Sequence, residues 1–400
     1  MGEILFLAHR HPFPPNRGDK IRGYHILRHL ARRHRVHLIA FADDRRDLEQ
    51  ADGLDDVVAS AQIFWRGKPR WRAAAEALAL GRPVSLTAFH QRDVAQAVRT
   101  LLADRPIELI YVFSGQMAQY LPPAPAPRVI MDFVDMDSAK FDAYGAGQGP
   151  QAAMMRREGR LLFAFERDIA ARAEASLFVS DAEAALFRAR AGVGGVHAVE
   201  NGIDTDFFDP AAIFPTVDGQ GPLVVFTGQM DYRPNIEAVS WFARDVMPLL
   251  RHRHPDLRFA IVGRAPTEAV RALGQSPGVV VTGEVADVRG WLAAAQVAVA
   301  PLKLARGVQN KVLEAMAMAR PVVASPAAAE GIDHNGALRV ADSPAETSAA
   351  IGALLDNPGE AAALGSAARA RVIARYGWNA RLAPLDALID PPRPQQQHAA

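Results

Sequence analysis

The chain has 400 residues, half of them hydrophobic, and contains no cysteine. This length predicts two domains of roughly 150–200 residues each, and the lack of cysteine excludes disulfides, thiolate chemistry and cysteine-ligated zinc or iron–sulfur sites. The 45 basic and 44 acidic residues nearly balance, so the chain as a whole is not a polyelectrolyte that binds nucleic acid.

The N-terminal segment MGEILFLAHRHPFPP has one short apolar run, residues 4–8, with no basic stretch before it. It is typical of a first β-strand and not of a signal peptide. No window of about 18 apolar residues is available to cross a bilayer. We therefore expect a cytoplasmic protein whose only contact with the inner face of the plasma membrane would be peripheral.

Four of the six histidines in the first 37 residues, His9, His11, His34 and His37, suggest a metal site. No cysteine or paired carboxylate joins them, and the last two straddle a helix end and a strand, so they share no face. We expect them to be surface residues. His9 and Arg10 follow the first strand, however, where they could line a cleft.

Short apolar runs alternate with longer helical patterns through the first half of the chain. After the first strand comes DKIRGYHILRHLARR, whose apolar residues recur at helical spacing opposite a row of arginines. The next strands are VHLIAFA, LIYVFS, RVIMDFVD and SLFVSD, and a long helix is expected over about residues 151–175. This alternation predicts a parallel sheet with crossover helices.

Residues 64–83, FWRGKPRWRAAAEALALGRP, are both basic and aromatic. Tryptophan beside arginine and lysine suits a membrane interface or a site for an acidic ligand. The simpler interpretation, which we favour, is a solvated helix start whose tryptophans pack inward. Any membrane contact of this chain is expected in this segment.

The second half repeats the strand–helix pattern more cleanly, with strands LVVFTG, RFAIVG, GVVVTG, VAVAPL, PVVAS and LRVA. Three of them end at Gly228, Gly263 and Gly283, where the chain can turn sharply and a ligand can approach the backbone. The breaker-rich residues 215–222 signal a boundary. The tail PPRPQQQHAA has too little apolar content to fold.

These patterns predict an α/β protein with two doubly wound domains that face each other across a cleft. Ligands are expected at the carboxyl ends of strands, where loops and helix N-termini converge. The predicted ranges are 1–203 for the N-terminal domain, 204–376 for the C-terminal domain, 377–390 for a final helix that packs back on the N-terminal domain, and 391–400 for a disordered tail.

In residues 301–325, PLKLARGVQNKVLEAMAMARPVVAS, a basic loop is followed by a predicted helix. A helix that starts near Gly307 leaves the next three amides as unpaired donors with partial positive charge. Cations are normally disfavoured at that end of a helix. Lys303, Arg306 and Lys311 therefore suggest a bound anion, and a diphosphate fits.

Glu314 lies one turn beyond Asn310 on the same helical face, so it points toward the same ligand. Carboxylates accept paired hydrogen bonds from vicinal hydroxyls, which is how doubly wound nucleotide sites hold a ribose. An equally good interpretation is a surface ion pair between Glu314 and Lys311 or Arg306.

The sequences RGVQNKVLEAMAMARPVVAS, FAIVG, VTGEVADVRGWLAAAQVAVAPL and VENGIDTDFF resemble glycosyltransferase family four. Those are retaining enzymes of the GT-B fold that use nucleotide sugars, and the resemblance extends over nearly the whole chain. HRHPFPPNRGDKIR, DFVDMDSAKF and ARGVQNKVLEAMAM are most similar to bacterial exopolysaccharide sugar transferases associated with exosortase (PEP-CTERM) systems. The resemblance implies retaining hexosyl transfer from a nucleoside diphosphate sugar to a glycan or polyprenyl-linked acceptor, without a cofactor.

One position departs from the family pattern of two glutamates separated by seven residues. Glu314 matches the second, which binds the ribose, but Arg306 stands where the first would lie near the donor sugar. A guanidinium cannot accept from hydroxyls but can grip a phosphate. The family's diphosphate-binding arginine and lysine are also missing from TGQMDYRPN, where Gln229 takes the arginine place. Arg233 or Arg306 would compensate.

In the N-terminal domain, PPNRGDKIRG takes the place of the family's glycine loop. Gly18 would let the backbone approach the donor phosphate or the acceptor, whereas Asp19 could equally be an N-cap.

In VDMDS, Asp135 and Asp137 share one face of a strand end. They could hold a divalent metal, but we favour Asp135 as the group that binds or deprotonates the acceptor hydroxyl. A hydrogen-bonded turn residue is the alternative.

We expect catalysis without a metal ion, with Arg306 and Asp135 as catalytic residues. The acceptor or cleft residues are His9, Arg10, Gly18, Asp19 and Asp137. The donor-binding residues are Gly228, Arg233, Gly263, Glu284, Lys303, Gly307, Val308, Gln309, Asn310, Lys311 and Glu314. The alternative function, suggested by the missing first glutamate, is a non-catalytic GT-B protein that binds a nucleotide sugar or acts as a scaffold.

Overall fold

The computed structural model describes residues 2–15, 18–305 and 308–391. The chain divides into two compact units, one formed by residues 1–201 with 381–400 and the other by residues 202–380. Each unit contains one parallel sheet. The predicted α/β class with two doubly wound domains is confirmed. The breaker-rich residues 215–222 lie within the second unit, just ahead of its first strand.

In the described residues of the first unit there are seven strands: β1 (Glu3–Ala8), β2 (Arg35–Ala42), β3 (Ser60–Trp65), β4 (Ile107–Phe113), β5 (Arg128–Val134), β6 (Ala175–Phe178) and β7 (Val196–Ala198). Its helices are α1 (Gly18–Ala31), α2 (Arg45–Glu49), α3 (Arg70–Ala79), α4 (Val84–Thr87), α5 (Arg92–Asp104), α6 (Asp137–Tyr144), α7 (Pro150–Arg172) and α8 (Asp181–Ala191). The strand order is β3-β2-β1-β4-β5-β6-β7. The winding direction reverses between β1 and β4, which makes this the switch point.

Strands β1 and β2 are buried along almost their whole length. Because both of their faces pack against other elements, they are continuous apolar runs and do not alternate with polar residues. The expectation that His11 and His37 are surface residues is wrong, since both are buried. His37 is accommodated in β2 because its ring lies 2.8 Å from the Ser60 hydroxyl and 3.1 Å from Glu3.

The part of the second unit that the structure describes has six strands: β8 (Leu223–Thr227), β9 (Arg258–Val262), β10 (Val279–Gly283), β11 (Val297–Ala300), β12 (Val322–Ala324) and β13 (Arg339–Val340). Its helices are α9 (Arg233–Trp241), α10 (Met247–Arg253), α11 (Glu268–Leu273), α12 (Val288–Ala294), α13 (Asn310–Ala317), α14 (Pro326–Ala329), α15 (Pro344–Asp356) and α16 (Pro358–Arg375). The strand order is β10-β9-β8-β11-β12-β13, with the switch point between β8 and β11.

The last helix, α17 (Trp378–Ile389), begins in the second unit, and its later residues belong to the first. Within the first unit, Asp386 lies 2.7 Å from the His29 ring. Arg128 of β5 donates to the carbonyl oxygens of Leu388 and Ile389, at 2.5 and 2.8 Å. These contacts hold the C-terminal part of α17 against α1 and β5.

Helix α3 shows that the tryptophans of residues 64–83 do not pack inward as predicted. Trp71 is 74% exposed and Leu78 is 69% exposed. The helix instead buries Ala73 and Ala77, which lie on its opposite face. Among the described residues, no helix is both long and apolar enough to span a membrane.

Candidate functional site

A cavity of about 700 Å³ opens in the second unit where strands β8, β9 and β10 end and helix α13 begins. This is the edge of the sheet next to its switch point, where ligands of such sheets bind. Seven predicted donor residues line it: Gly228, Gly263, Glu284, Gln309, Asn310, Lys311 and Glu314. The structure thus brings together residues from four separate segments of the sequence.

The glycines at the ends of β8 and β9 form the floor of this cavity. The amide of Gly228 donates to the Val262 carbonyl, at 3.0 Å. A Cβ atom at Gly263, whose φ is +153°, would overlap the carbonyl oxygen of Gly228. A Cβ atom at Gly228 would lie 3.2 Å from the ammonium of Lys311. The close backbone contact therefore requires glycine at position 263. Because Gly228 has no side chain either, it leaves the space beside the Lys311 ammonium open.

Lys311 and Glu314 form the electrostatic centre of the cavity, and both are half-buried. The Lys311 ammonium donates to Asn235 Oδ1 at 2.5 Å and lies 4.4 Å from the centre of the Phe226 ring. Burial lowers the pKa of Lys311 to about 8, although Glu314 acts in the opposite direction. Burial likewise raises the pKa of Glu314 to about 7, although Lys311 opposes the shift.

The Glu314 carboxylate accepts no hydrogen bond within the described ranges, and no ion pair joins it to Lys311 there. The interpretation of Glu314 and Lys311 as a surface ion pair is therefore wrong, whereas the other partner named for Glu314, Arg306, lies outside the described residues. A half-buried carboxylate without a donor is unfavourable. Its site is suited to a ligand that brings hydroxyl donors.

Helix α13 begins at Asn310, later than the predicted start near Gly307. Gln309 precedes it with an extended backbone (φ −91°, ψ 101°) and without a side-chain cap. The first-turn amides that point out of the helix are consequently those that follow Gln309, and Val308 packs instead against the core of the unit. Arg306 and Gly307 lie outside the described residues.

Two predicted donor ligands lie away from the cavity lining. The Lys303 ammonium contacts the Asp342 carboxylate at 3.0 Å and lies over the Trp241 ring. Arg233 is the first residue of α9, is 88% exposed and pairs with Glu237 at 2.7 Å. Both residues therefore form ion pairs with carboxylates that lie outside the cavity lining.

Sequence reasoning missed Arg264 and Asn235, which also line the cavity. Arg264 directly follows the strand-ending Gly263, and this position was a usable signal because residues just after such glycines reach the ligand edge of the sheet. Its guanidinium donates to Gln229 Oε1 at 3.1 Å. Asn235 had no comparable signal, since its contact with Lys311 joins α9 to α13.

A second cavity, of about 390 Å³, lies in the first unit at the ends of β1, β4 and β5. It also adjoins a switch point, and five predicted residues line it: His9, Arg10, Asp19, Asp135 and Asp137. Gly18 is the first residue of α1 and is not among the lining residues. The remaining walls include Phe89, Phe133, Gln116 and Lys140.

Charges in the first unit's cavity are extensively paired. Arg10 bonds to Asp19 and, at 2.5 Å, to Asp43. Burial would raise the pKa of Asp19, but hydrogen bonds from His9 and Arg10 lower it well below its usual range. The Lys140 ammonium, which the sequence did not point to, lies 2.8 Å from Asp135 and 3.2 Å from Asp137.

Two non-glycine residues with left-handed backbones border this second cavity. Ser114 follows β4 with φ +78°, and Val134 ends β5 with φ +69°. Such values are costly, above all for a β-branched residue. The buried Asp132 supports the strain, since its Oδ1 accepts from the Val134 amide at 3.0 Å and its backbone carbonyl from the Ser114 amide at 2.8 Å.

Asp132 is itself held by a buried network. Its Oδ2 accepts from Arg22 Nη2 at 2.9 Å and from the Tyr111 hydroxyl at 2.8 Å. Arg22 also donates to the carbonyl of Val199, at 2.7 Å. In the part of the chain that the structure describes, no group of three or more His, Asp or Glu side chains is arranged to hold a metal ion.

Two family models match consecutive parts of the chain. The model for glycosyltransferase family 4 matches residues 22–207, and the model for glycosyl transferases group 1 matches residues 221–357. A search of curated proteins found no match.

Solved structures with the same fold cover nearly the whole chain. Sucrose-phosphate synthase from Thermosynechococcus elongatus is 18% identical, with a TM-score of 0.60, over 97% of this chain and 98% of that one. Anabaena HepE, solved with UDP and glucose, is 16% identical, with a TM-score of 0.56, over 97% and 99%. A glycosyltransferase from Rickettsia africae is 14% identical, with a TM-score of 0.61, over 97% of both chains.

Proposed function

We propose that this chain is a retaining hexosyltransferase that acts on a glycan or lipid-linked acceptor. The premise is that the chain is a glycosyltransferase of the family-four type with the GT-B fold, which transfers a sugar from a nucleotide sugar. We further propose a role in exopolysaccharide biosynthesis, which is supported by the sequence resemblance described above. The donor is a nucleoside diphosphate sugar, and we assign no step to a metal ion or cofactor.

The observation that carries this proposal is Glu314 in the cavity of the second unit. Its half-buried carboxylate lacks a hydrogen-bond donor in the described part of the chain. The two hydroxyls of a ribose would supply such donors. Lys311, one turn earlier in α13, would face the diphosphate, whose charge grows as the sugar departs. UDP bound to HepE supports the same class of donor.

We assign the acceptor to the cavity of the first unit. Asp135 would bind or deprotonate the acceptor hydroxyl in competition with Lys140, which now donates to it at 2.8 Å. Three carboxylates and two permanent cations line this cavity, beside Phe89 and Phe133. That lining suits a hydroxyl-rich sugar with an apolar face better than a phosphate, which the carboxylates would repel.

Replacing Glu314 with Gln tests the donor site directly. Affinity for a nucleoside diphosphate should fall at least about tenfold, because a charge-assisted hydrogen bond contributes roughly 1.5–3 kcal/mol. Calorimetry with UDP, GDP, ADP and dTDP on the wild type identifies the base, and the variant is then titrated with that nucleotide.

The thermal stability of the Glu314→Gln variant should be unchanged or higher at pH 8. Burial raises the pKa of Glu314 from 4.5 to about 7, so any stabilisation from this residue is present below about pH 4.5 and is lost as the pH rises through about 7. Glu330→Gln, at an exposed glutamate of the same unit, is the control. A loss of stability with unchanged nucleotide affinity would make Glu314 a structural residue.

We also propose that α3 and its flanks touch an anionic membrane surface. Residues 64–83 carry five basic residues and one acidic residue, and Trp71 and Leu78 are exposed on the same face of α3. This combination of cations and exposed apolar side chains is typical of peripheral membrane contacts.

Trp71→Ser should weaken binding to phosphatidylglycerol-containing vesicles by about tenfold or more, since burying a large apolar side chain contributes roughly 1.5–3 kcal/mol. Sedimentation with vesicles measures this, and phosphatidylcholine vesicles test the charge requirement. Leu249→Ser, at an exposed leucine of the second unit, is the control. Equal binding by the wild type and Trp71→Ser would rule out this surface.

A further inference from the structure

We propose that Arg264, which follows the strand-ending Gly263, binds the diphosphate of the donor together with Lys311. This inference rests on the proposed function of the second unit's cavity. It assigns the second positive charge that a diphosphate needs to a residue at the end of β9.

Arg264 lies at the end of β9, in the lining of the second unit's cavity. It follows Gly263, whose backbone contacts that of Gly228 so closely that a Cβ atom would overlap the Gly228 carbonyl oxygen. Lys311 also approaches Gly228, where a Cβ atom would lie 3.2 Å from its ammonium. Both cations thus adjoin a pair of glycines that have no side chains, and all four residues line one cavity.

A backbone hydrogen bond between two loops fixes the position of the Arg264 Cα atom. The backbone carbonyl of Arg264 accepts from the Met230 amide at 2.9 Å, which joins the loop after β9 to the loop after β8. The guanidinium donates to the neutral Gln229 Oε1 at 3.1 Å. A planar guanidinium anchored by one N–H can still present its remaining N–H groups to phosphate oxygens.

The guanidinium of Arg264 forms no ion pair with a carboxylate among the described residues, so its charge is available to an anionic ligand. No carboxylate lies within ion-pair distance of it anywhere in residues 2–15, 18–305 and 308–391. Arg233 and Lys303 differ in this respect, since they pair with Glu237 and Asp342. Arg264 and Lys311 are therefore the two cations in the cavity lining that can face a diphosphate, while Glu284 and Glu314 line the same cavity and can accept from hydroxyl groups of the ligand.

The test separates the diphosphate from the nucleoside. Arg264→Gln should weaken binding of UDP about ten- to a hundredfold, because a charge-assisted hydrogen bond to phosphate is lost. Binding of uridine should change less than about twofold, and inorganic pyrophosphate should compete less well for the variant. If the base screen identifies another nucleotide, that diphosphate and its nucleoside replace UDP and uridine.

Arg271→Gln is the matched control, because Arg271 is an exposed arginine of the same unit that lines a different cavity. An equal loss of affinity for UDP and uridine, or unchanged affinity for both, would overturn the assignment of Arg264 alone. If the wild type binds none of the nucleoside diphosphates, the proposed function fails, and this inference fails with it. Arg264→Lys should retain part of the diphosphate affinity, because it keeps the charge but loses the fork of N–H donors.

Discussion

Replacing Lys311 with Met should lower the turnover number about 10²–10³-fold, the usual cost of removing one donor that stabilises developing negative charge. The Michaelis constant should change less, because charge on the leaving diphosphate is greatest in the transition state. The long apolar side chain of Met preserves contact with the Phe226 ring, over which the ammonium now lies. Steady-state kinetics of donor hydrolysis without an acceptor measures the effect.

The pH dependence of donor binding offers an independent check on Lys311. Burial lowers its pKa to about 8 and raises that of Glu314 to about 7. Binding that needs the lysine charged and the glutamate ionised should therefore weaken above about pH 8 and below about pH 7. The alkaline limb should disappear in Lys311→Met and persist in Arg339→Met, which removes an exposed arginine paired with Glu360. Near-normal turnover of Lys311→Met would show that its charge does not act on the diphosphate.

Replacing Asp132 with Ala should lower the free energy of unfolding by about 3–5 kcal/mol, because it leaves the buried Arg22 charge without its partner. Both side chains are almost fully buried. The change also removes the acceptor for the Tyr111 hydroxyl and for the strained Val134 amide. Urea denaturation measures the loss, and acceptor-dependent activity should fall with it because Val134 borders the first unit's cavity.

Two comparisons make the Asp132 prediction specific. Asp168→Ala removes a surface aspartate paired with Arg172 at 3.0 Å and should change stability by less than about 1 kcal/mol. In a double-mutant cycle, adding Arg22→Met to Asp132→Ala should cost less than Arg22→Met does alone, because no unpaired charge remains. Additive losses would mean that the two side chains do not act as a pair.

The strand pattern and much of the donor cavity were predictable from sequence because they depend on local spacing. Buried parallel strands are continuous apolar runs, and glycines mark where three of them end. Lys311 and Glu314 are three residues apart on one helix, so their proximity follows from helical geometry. A doubly wound sheet then brings the ends of β8, β9 and β10 to one edge.

Contacts between separate loops could not be predicted in the same way. The pairing of Lys140 with Asp135 and Asp137 depends on the turn from β5 into α6, and that of Arg264 with Gln229 joins loops after different strands. The exposure of Trp71 was missed because composition does not tell which face of α3 packs against the rest of the first unit. Alanines form that face, and a large aromatic residue is left in solvent.

The return of α17 to the first unit has a consequence for biosynthesis. A ribosome releases residues 202–380 as one uninterrupted stretch, so the second unit can complete its sheet as soon as that stretch has emerged. The first unit begins to emerge earlier but must wait for the residues that bond to His29 and Arg128. The order in which the two units are finished is therefore the reverse of the order in which their synthesis starts.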